Sequence, residues 1–166
     1  MRQHQIKKMV QIALVASLYV VLSLCIAPLS YGPIQIRLSE MLNLLVIYDK
    51  KYIYAVTIGC ALANLASPYG ILDVIFGSAS TFITLWICYA VIKRMDSFTK
   101  KIWSIVGIGT VAMVSIAAEL YVLASAPFWM TYLTVAIGEL ISLSIGAVLL
   151  LWFNRSYPTV IRRWLK

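Results

Sequence analysis

Acidic residues are scarce in this sequence, six among 166, set against fourteen lysines and arginines. Charged residues of either sign make up only 12% of the chain, about half the share of a soluble domain. Hydrophobic residues make up 62%. A water-soluble globule of this length cannot bury so much apolar surface, so the soluble classes are excluded. Histidine occurs once, at His4, which removes a histidine-based metal site and a Ser-His triad. The three cysteines, Cys25, Cys60 and Cys88, form no C-x-x-C pair. They read as free thiols buried in membrane segments rather than a metal or disulfide framework. No G-x-x-x-x-G-K-[ST] phosphate loop occurs, so ATP hydrolysis by that route is excluded. An intramembrane enzyme that uses carboxylates alone stays open as a further reading, although no two acids share one short motif. There is no internal repeat or low-complexity tract.

What the sequence does have is a series of long apolar runs. Its length fits one membrane domain, residues 1–166, with about six crossings of roughly 20 residues each. The crossings are expected at about 9–27, 38–48, 52–66, 71–92, 102–124 and 130–153. Pro28, Gly32 and Pro33 break the first boundary, and Asp49-Lys50-Lys51 forms a polar turn. Ser67-Pro68-Tyr69-Gly70 and Ala126-Pro127 mark two further turns. The second crossing is short and needs a tilt or the preceding residues to complete it. The runs are too long and too continuous for barrel strands, which need only about 10 alternating residues. The first run is too long for a secretory signal core and lacks a good A-x-A cleavage site. Leu24 is also too large for a lipoprotein box before Cys25. The expected fold is therefore an all-α integral membrane protein of six transmembrane helices.

Charge sets the orientation. With both termini cytoplasmic, thirteen of the fourteen basic residues fall in the N-terminal arm, the 49–51 turn, the 93–101 connector or the C-terminal tail. Only Arg37 falls on the other side. Such a bias is the positive-inside signature. It accounts for the net charge of +8 without nucleic acid.

Setting aside the cytoplasmic loops leaves four acids: Glu40, Asp73, Glu119 and Glu139. At the helical rise, Glu40 and Asp73 lie within about one turn of the outer ends of their spans. Glu119 lies roughly 8 Å below its outer end and Glu139 roughly 14 Å. Asn64 sits near the outer end of the third span, and Arg37, Glu40 and Asn43 are spaced by three. All occupy the outer half of the membrane, where a pocket open to the outside would gather them. Arg37 and Glu40 can also simply neutralise each other. Four acids against one arginine cannot all pair, so the pocket is rich in acceptors and suits a ligand with N–H donors or a cation. Gly77, Ser80, Thr81 and Thr84 follow Asp73 as a small, polar stripe, which close helix packing also explains. Tyr31, Tyr69, Tyr121, Phe128, Trp129 and Tyr132 cluster towards the same side. An interfacial belt explains most of them, with one or two free to stack on a flat ring.

The segments IRLSEMLNLL (36–45), YDKKYI (48–53) and GCALANLASPYGILDVIFGS (59–78) resemble the queuosine-precursor transporter family. That family comprises substrate-binding S components of energy-coupling factor (ECF) transporters. The resemblance covers most of the chain, though the last two spans match mainly in pattern and in their acids. It implies an S-component-like bundle in a bacterial plasma membrane that captures a 7-deazaguanine precursor of queuosine from outside. The partners implied are a transmembrane coupling protein and two ABC-type ATPases, which use the ATP and magnesium. No cofactor or metal is expected in this chain. By the same resemblance, the S component delivers its ligand by toppling in the membrane. The expected substrate-binding residues are Arg37, Glu40, Asn43, Asn64, Asp73, Glu119, Glu139 and Trp129. S components commonly carry an A-x-x-x-A docking patch on the first span. Here Ala13 and Ser17 give A-x-x-x-S, which still permits close approach. The residues themselves also leave open a self-sufficient proton-coupled carrier and an S component for another vitamin-like heterocycle.

Overall fold

The computed structural model describes residues 2–30 and 36–156. Expectations for Tyr31, Gly32, Pro33 and the basic tail after Ser156 lie outside the described residues. The order is α1 (Arg2–Cys25), α2 (Ala27–Ser30), a 3₁₀ helix (Leu38–Ile47), α3 (Lys51–Asn64), α4 (Ile71–Ile92), α5 (Phe98–Ala112), α6 (Val114–Ala124) and α7 (Phe128–Ser156). No strand occurs among the described residues.

Four helical stretches are long and apolar enough to cross a membrane: Gln5–Cys25, Ile71–Ile92, Phe98–Ala124 and Phe128–Ser156. The other two expected crossings are shorter. The 3₁₀ helix has 10 residues and reaches about 20 Å. Helix α3 has 14 residues and reaches about 21 Å. Neither matches the roughly 30 Å of a bilayer's hydrocarbon core.

The distribution of polarity is that of a membrane protein. Met9, Leu14, Leu65, Val122, Leu133 and Val148 face outward. Glu40, Asn43, Asn64, Asp73, Glu119, Glu139 and Ser142 are buried. Burial of charge with outward display of large aliphatic side chains is stable only where the surroundings are themselves apolar. Cys60 and Cys88 are buried free thiols, as expected. Cys25 corrects that expectation, being exposed on α1, where an apolar thiol suits a lipid-facing position.

The apolar core fills the end of the bundle that carries the 49–51 turn and the 93–97 connector. There Tyr52, Ile53, Val56, Leu85, Ile102 and Leu143 interlock. Helix α1 lies directly on α3 because residue 59 is glycine. A Cβ there would stand 2.7 Å from Tyr19 Cβ and 3.0 Å from the Ala16 carbonyl oxygen. That contact drives the Tyr19 side chain into the bundle, where it is 1% exposed.

Two local departures from regular α-helix shape the other end. Residues 38–47 wind as 3₁₀ helix, a form that seldom persists beyond three or four residues. With three residues per turn, Arg37, Glu40 and Asn43 line up in one row instead of drifting around the helix. The expected fifth span is also interrupted at Met113, between α5 and α6. Hydroxyls bond back to carbonyls on both sides of the break. Thr110 Oγ1 donates to the Val106 oxygen at 2.8 Å and Ser115 Oγ to the Ala112 oxygen at 2.7 Å. Such bonds bend helices. The Ser80 and Ser115 hydroxyls, 2.5 Å apart, tie α6 to α4 across this bend.

Candidate functional site

The polar row of the 3₁₀ helix forms one wall of a small cavity. Gly77, Ser80, Thr81 and Thr84 of α4 form the second wall. Met113 and Ile116 at the α5–α6 break and Glu139 of α7 close it. Its volume is about 30 Å³, room for a very few water molecules at most. A larger depression of about 340 Å³ lies between Met41, Leu45, Leu149 and Trp152. It is lined by apolar side chains and so lacks the convergent polar groups that orient a ligand. The chemistry sits at the smaller, polar cavity.

Glu40 is held from two sides. Tyr19 of α1 donates its hydroxyl to Glu40 Oε1 at 2.5 Å, and Asn43 Nδ2 donates to Oε2 at 2.6 Å. Arg37, whose Nε donates to the Ser30 carbonyl at 3.3 Å, also lies within electrostatic reach of Glu40 and Asp73. Its field extends to Glu139 and Glu119 as well. One guanidinium thus serves an acidic cluster drawn from four elements.

A second group lies beside the cavity. The Asn64 amide packs over Gly77, where a Cβ would come 2.5 Å from Nδ2. Asn64 Nδ2 donates to the Asp73 carbonyl at 3.0 Å, across the turn that joins α3 to α4. Glu119 of α6 faces Asp73. Asn64 and Glu119 are both buried.

The unsatisfied groups share one character. Asn43 Oδ1 and Asn64 Oδ1 are buried and find no hydrogen-bond partner among the described residues, and the buried Glu119 carboxyl meets only another carboxyl, that of Asp73. The Ser30 hydroxyl is the one other such group among them. Orphaned buried polar atoms are uncommon and call for an explanation. Here two side chains from two elements present surplus acceptors, and acceptors attract N–H and O–H donors.

The structure therefore brings Arg37, Glu40, Asn43 and Glu139 to the cavity and sets Asn64, Asp73 and Glu119 beside it. Trp129 does not join them. It is 74% exposed, with its ring edge-on to Phe128 at 5.1 Å. Phe128 in turn meets Tyr121 at 6.5 Å, so these aromatics form a surface group of the kind found in interfacial belts. Ala13 and Ser17 lie on the exposed face of α1. Sequence reasoning missed Tyr19. The available signal was a tyrosine in the middle of the first span, far from either interface, since a buried phenol needs a polar partner.

Residues 9–155 match the family described as QueT transporter. The queuosine precursor transporter QueT of Lactococcus lactis subsp. cremoris is 40% identical over 159 residues, covering 90% of this chain and 94% of that protein. No solved structure gives a significant match.

Proposed function

Because the chain belongs to the QueT transporter family, we propose that it captures a 7-deazaguanine precursor of queuosine as the substrate-binding S component of an ECF-type importer. The observation that carries this reading is the surplus of buried acceptors on Asn43, which lines the cavity, and on Asn64 beside it. A guanine-like edge offers adjacent ring N–H and amino donors, which a carboxylate accepts in pairs. An aminomethyl substituent adds a cation that a second acid would hold. Within this reading Glu119 and Glu139 meet the donors of the ring edge. Arg37, Glu40 and Asp73 set the charge nearer the mouth.

The cavity volume of about 30 Å³ admits no such ligand, so capture requires the walls to part. The break at Met113, which lines the cavity, gives that wall a place to hinge. In the proposed topology the chain crosses a bacterial plasma membrane six times with both termini cytoplasmic. ATP and magnesium act in two partner ATPases. A transmembrane coupling protein docks on the α1 face bearing Ala13 and Ser17.

The test is equilibrium binding of aminomethyl-7-deazaguanine to the purified chain in detergent, with guanine and riboflavin as controls. Selective binding by the solitary chain is expected. A folded, monodisperse sample that ignores the ligand would remove the assignment. The facing carboxyls of Asp73 and Glu119 favour one second reading, a proton-coupled carrier. Uptake into proteoliposomes by the chain alone, driven by a pH gradient, would select it.

A further inference from the structure

Both amides at the site are tethered in the same sense. Asn43 gives its NH₂ to Glu40 Oε2 at 2.6 Å, and Asn64 gives its NH₂ to the Asp73 carbonyl at 3.0 Å. Each keeps a buried carbonyl oxygen with no partner among the described residues. An amide can present either a donor or an acceptor to a cavity, and only its surroundings decide which. For Asn43, which lines the cavity, the deciding group is Glu40. For Glu40 the deciding group is Tyr19, whose hydroxyl holds the other oxygen at 2.5 Å. Tyr19 is itself fixed from behind, since its Cβ fills the space over Gly59.

We propose that Tyr19 and Glu40 are positioning residues that act through Asn43: they lock its amide with the carbonyl oxygen towards the cavity, so that the site selects a ligand with an N–H donor at that point. This rests on the reading of the cavity as the ligand site. It gives Glu40 a different task from direct contact, because both of its oxygens already accept a protein donor. The chain of influence runs from α1 through the 3₁₀ helix, two elements that meet at Tyr19 and at the Ser23–Ser39 hydroxyl pair, 2.7 Å apart.

Exchanging the groups at positions 40 and 43 should report this lock. In Glu40→Gln the new side chain offers one oxygen and one NH₂. The Tyr19 hydroxyl retains the oxygen, so the NH₂ faces Asn43 and turns that amide over. The cavity then loses an acceptor and gains a donor. In the reciprocal swap, Glu40→Gln with Asn43→Asp, the NH₂ introduced at position 40 donates to the carboxylate introduced at position 43. An acceptor returns to the cavity at unchanged total charge.

The first test needs no ligand. The chain has asparagine only at positions 43, 64 and 154, so selective ¹⁵N-asparagine labelling resolves three side-chain amides. The Asn43 NH₂ should exchange slowly with water in the wild-type protein and at least about tenfold faster in Glu40→Gln, once its hydrogen bond is gone. An Asn43 amide that stays equally protected in the variant overturns the proposal, whatever the ligand proves to be. The second test reads selectivity among 7-deazaguanine, 7-deazahypoxanthine, which lacks the amino donor, and 1-methyl-7-deazaguanine, which lacks the ring donor. The wild-type protein should discriminate against one of the two analogues by roughly tenfold or more. Glu40→Gln should lose that discrimination and the double swap should regain it. A plain loss of charge or stability would weaken all three ligands alike and would not be rescued as a ratio; that pattern overturns the positioning role. If the wild-type protein binds none of them, the assignment of the ligand fails while the exchange measurement still decides the orientation of Asn43.

Discussion

Substituting Gly77 by alanine isolates the Asn64 contact with a single methyl group. Alanine is about 1 kcal/mol more favourable than glycine inside a helix, so the local effect of the change is stabilising. Gly107, in α5, supplies the control: a Cβ there meets nothing within 4 Å. Gly107→Ala should therefore raise stability by up to about 1 kcal/mol. At Gly77 the new methyl would stand 2.5 Å from Asn64 Nδ2, inside ordinary contact, with Asp73 Oδ1 at 3.6 Å. The amide must shift, and its 3.0 Å bond to the Asp73 carbonyl breaks. A buried amide left without a partner costs roughly 1–3 kcal/mol. The helix preference offsets part of that, so Gly77→Ala should be destabilised by about 0–2 kcal/mol. It should also bind ligand roughly tenfold more weakly, through displacement of Asn64 Oδ1. Thermal unfolding in detergent and a binding titration, run on both variants side by side, read the two quantities. If Gly77→Ala matches Gly107→Ala in stability and the wild type in affinity, the Asn64 amide has no role in the site.

Glu119→Gln and Glu139→Gln should each lower affinity for a donor-bearing heterocycle, because each replaces a carboxylate that accepts paired donors by an amide that accepts only one. Calorimetric titrations in which both variants bind like wild type would reject recognition by carboxylates. Ala13→Trp, on the exposed face of α1, should abolish co-purification with the coupling protein and leave ligand affinity unchanged; intact ATP-driven uptake would remove Ala13 from the docking surface. Ser80→Ala deletes the 2.5 Å tie between α4 and α6 and should cost about 0.6 kcal/mol, the usual scale for a hydrogen bond between membrane helices. An unchanged unfolding temperature would show that the tie contributes nothing.

The apolar runs, the turns and the burial of Glu40, Asp73, Glu119 and Glu139 can be read from residue order, because a lipid-facing chain leaves few other places for charge. The spacing of Arg37, Glu40 and Asn43 is visible too, but the winding that aligns them is not. Three residues is a near-turn in α-helix and a full turn in 3₁₀, and the element that buries Leu42, Leu44 and Val46 in the bundle takes the second form. The break at Met113 leaves little trace, since Thr110 and Ser115 read as ordinary small residues until their hydroxyls are seen bonding back along the helix. Trp129 resembles a stacking platform by position alone. Its exposure depends on how α7 is rotated, which sequence spacing does not fix. Amide orientation is least accessible of all, because it is decided by residues 21 positions apart in the case of Tyr19 and Glu40.

The ten residues Leu38–Ile47 tie two properties together that are usually independent. Rewound as α-helix, the segment would shorten by about 5 Å, from roughly 20 to roughly 15 Å. The same rewinding would rotate each successive member of the Arg37, Glu40, Asn43 row by about 60°. Length and alignment are thus one variable, the pitch of this element. A pull along its axis favours the form in which the polar row is assembled, and slack favours the form in which it is dispersed. Were the element to rewind, its extension would set how many of these polar groups meet at the cavity.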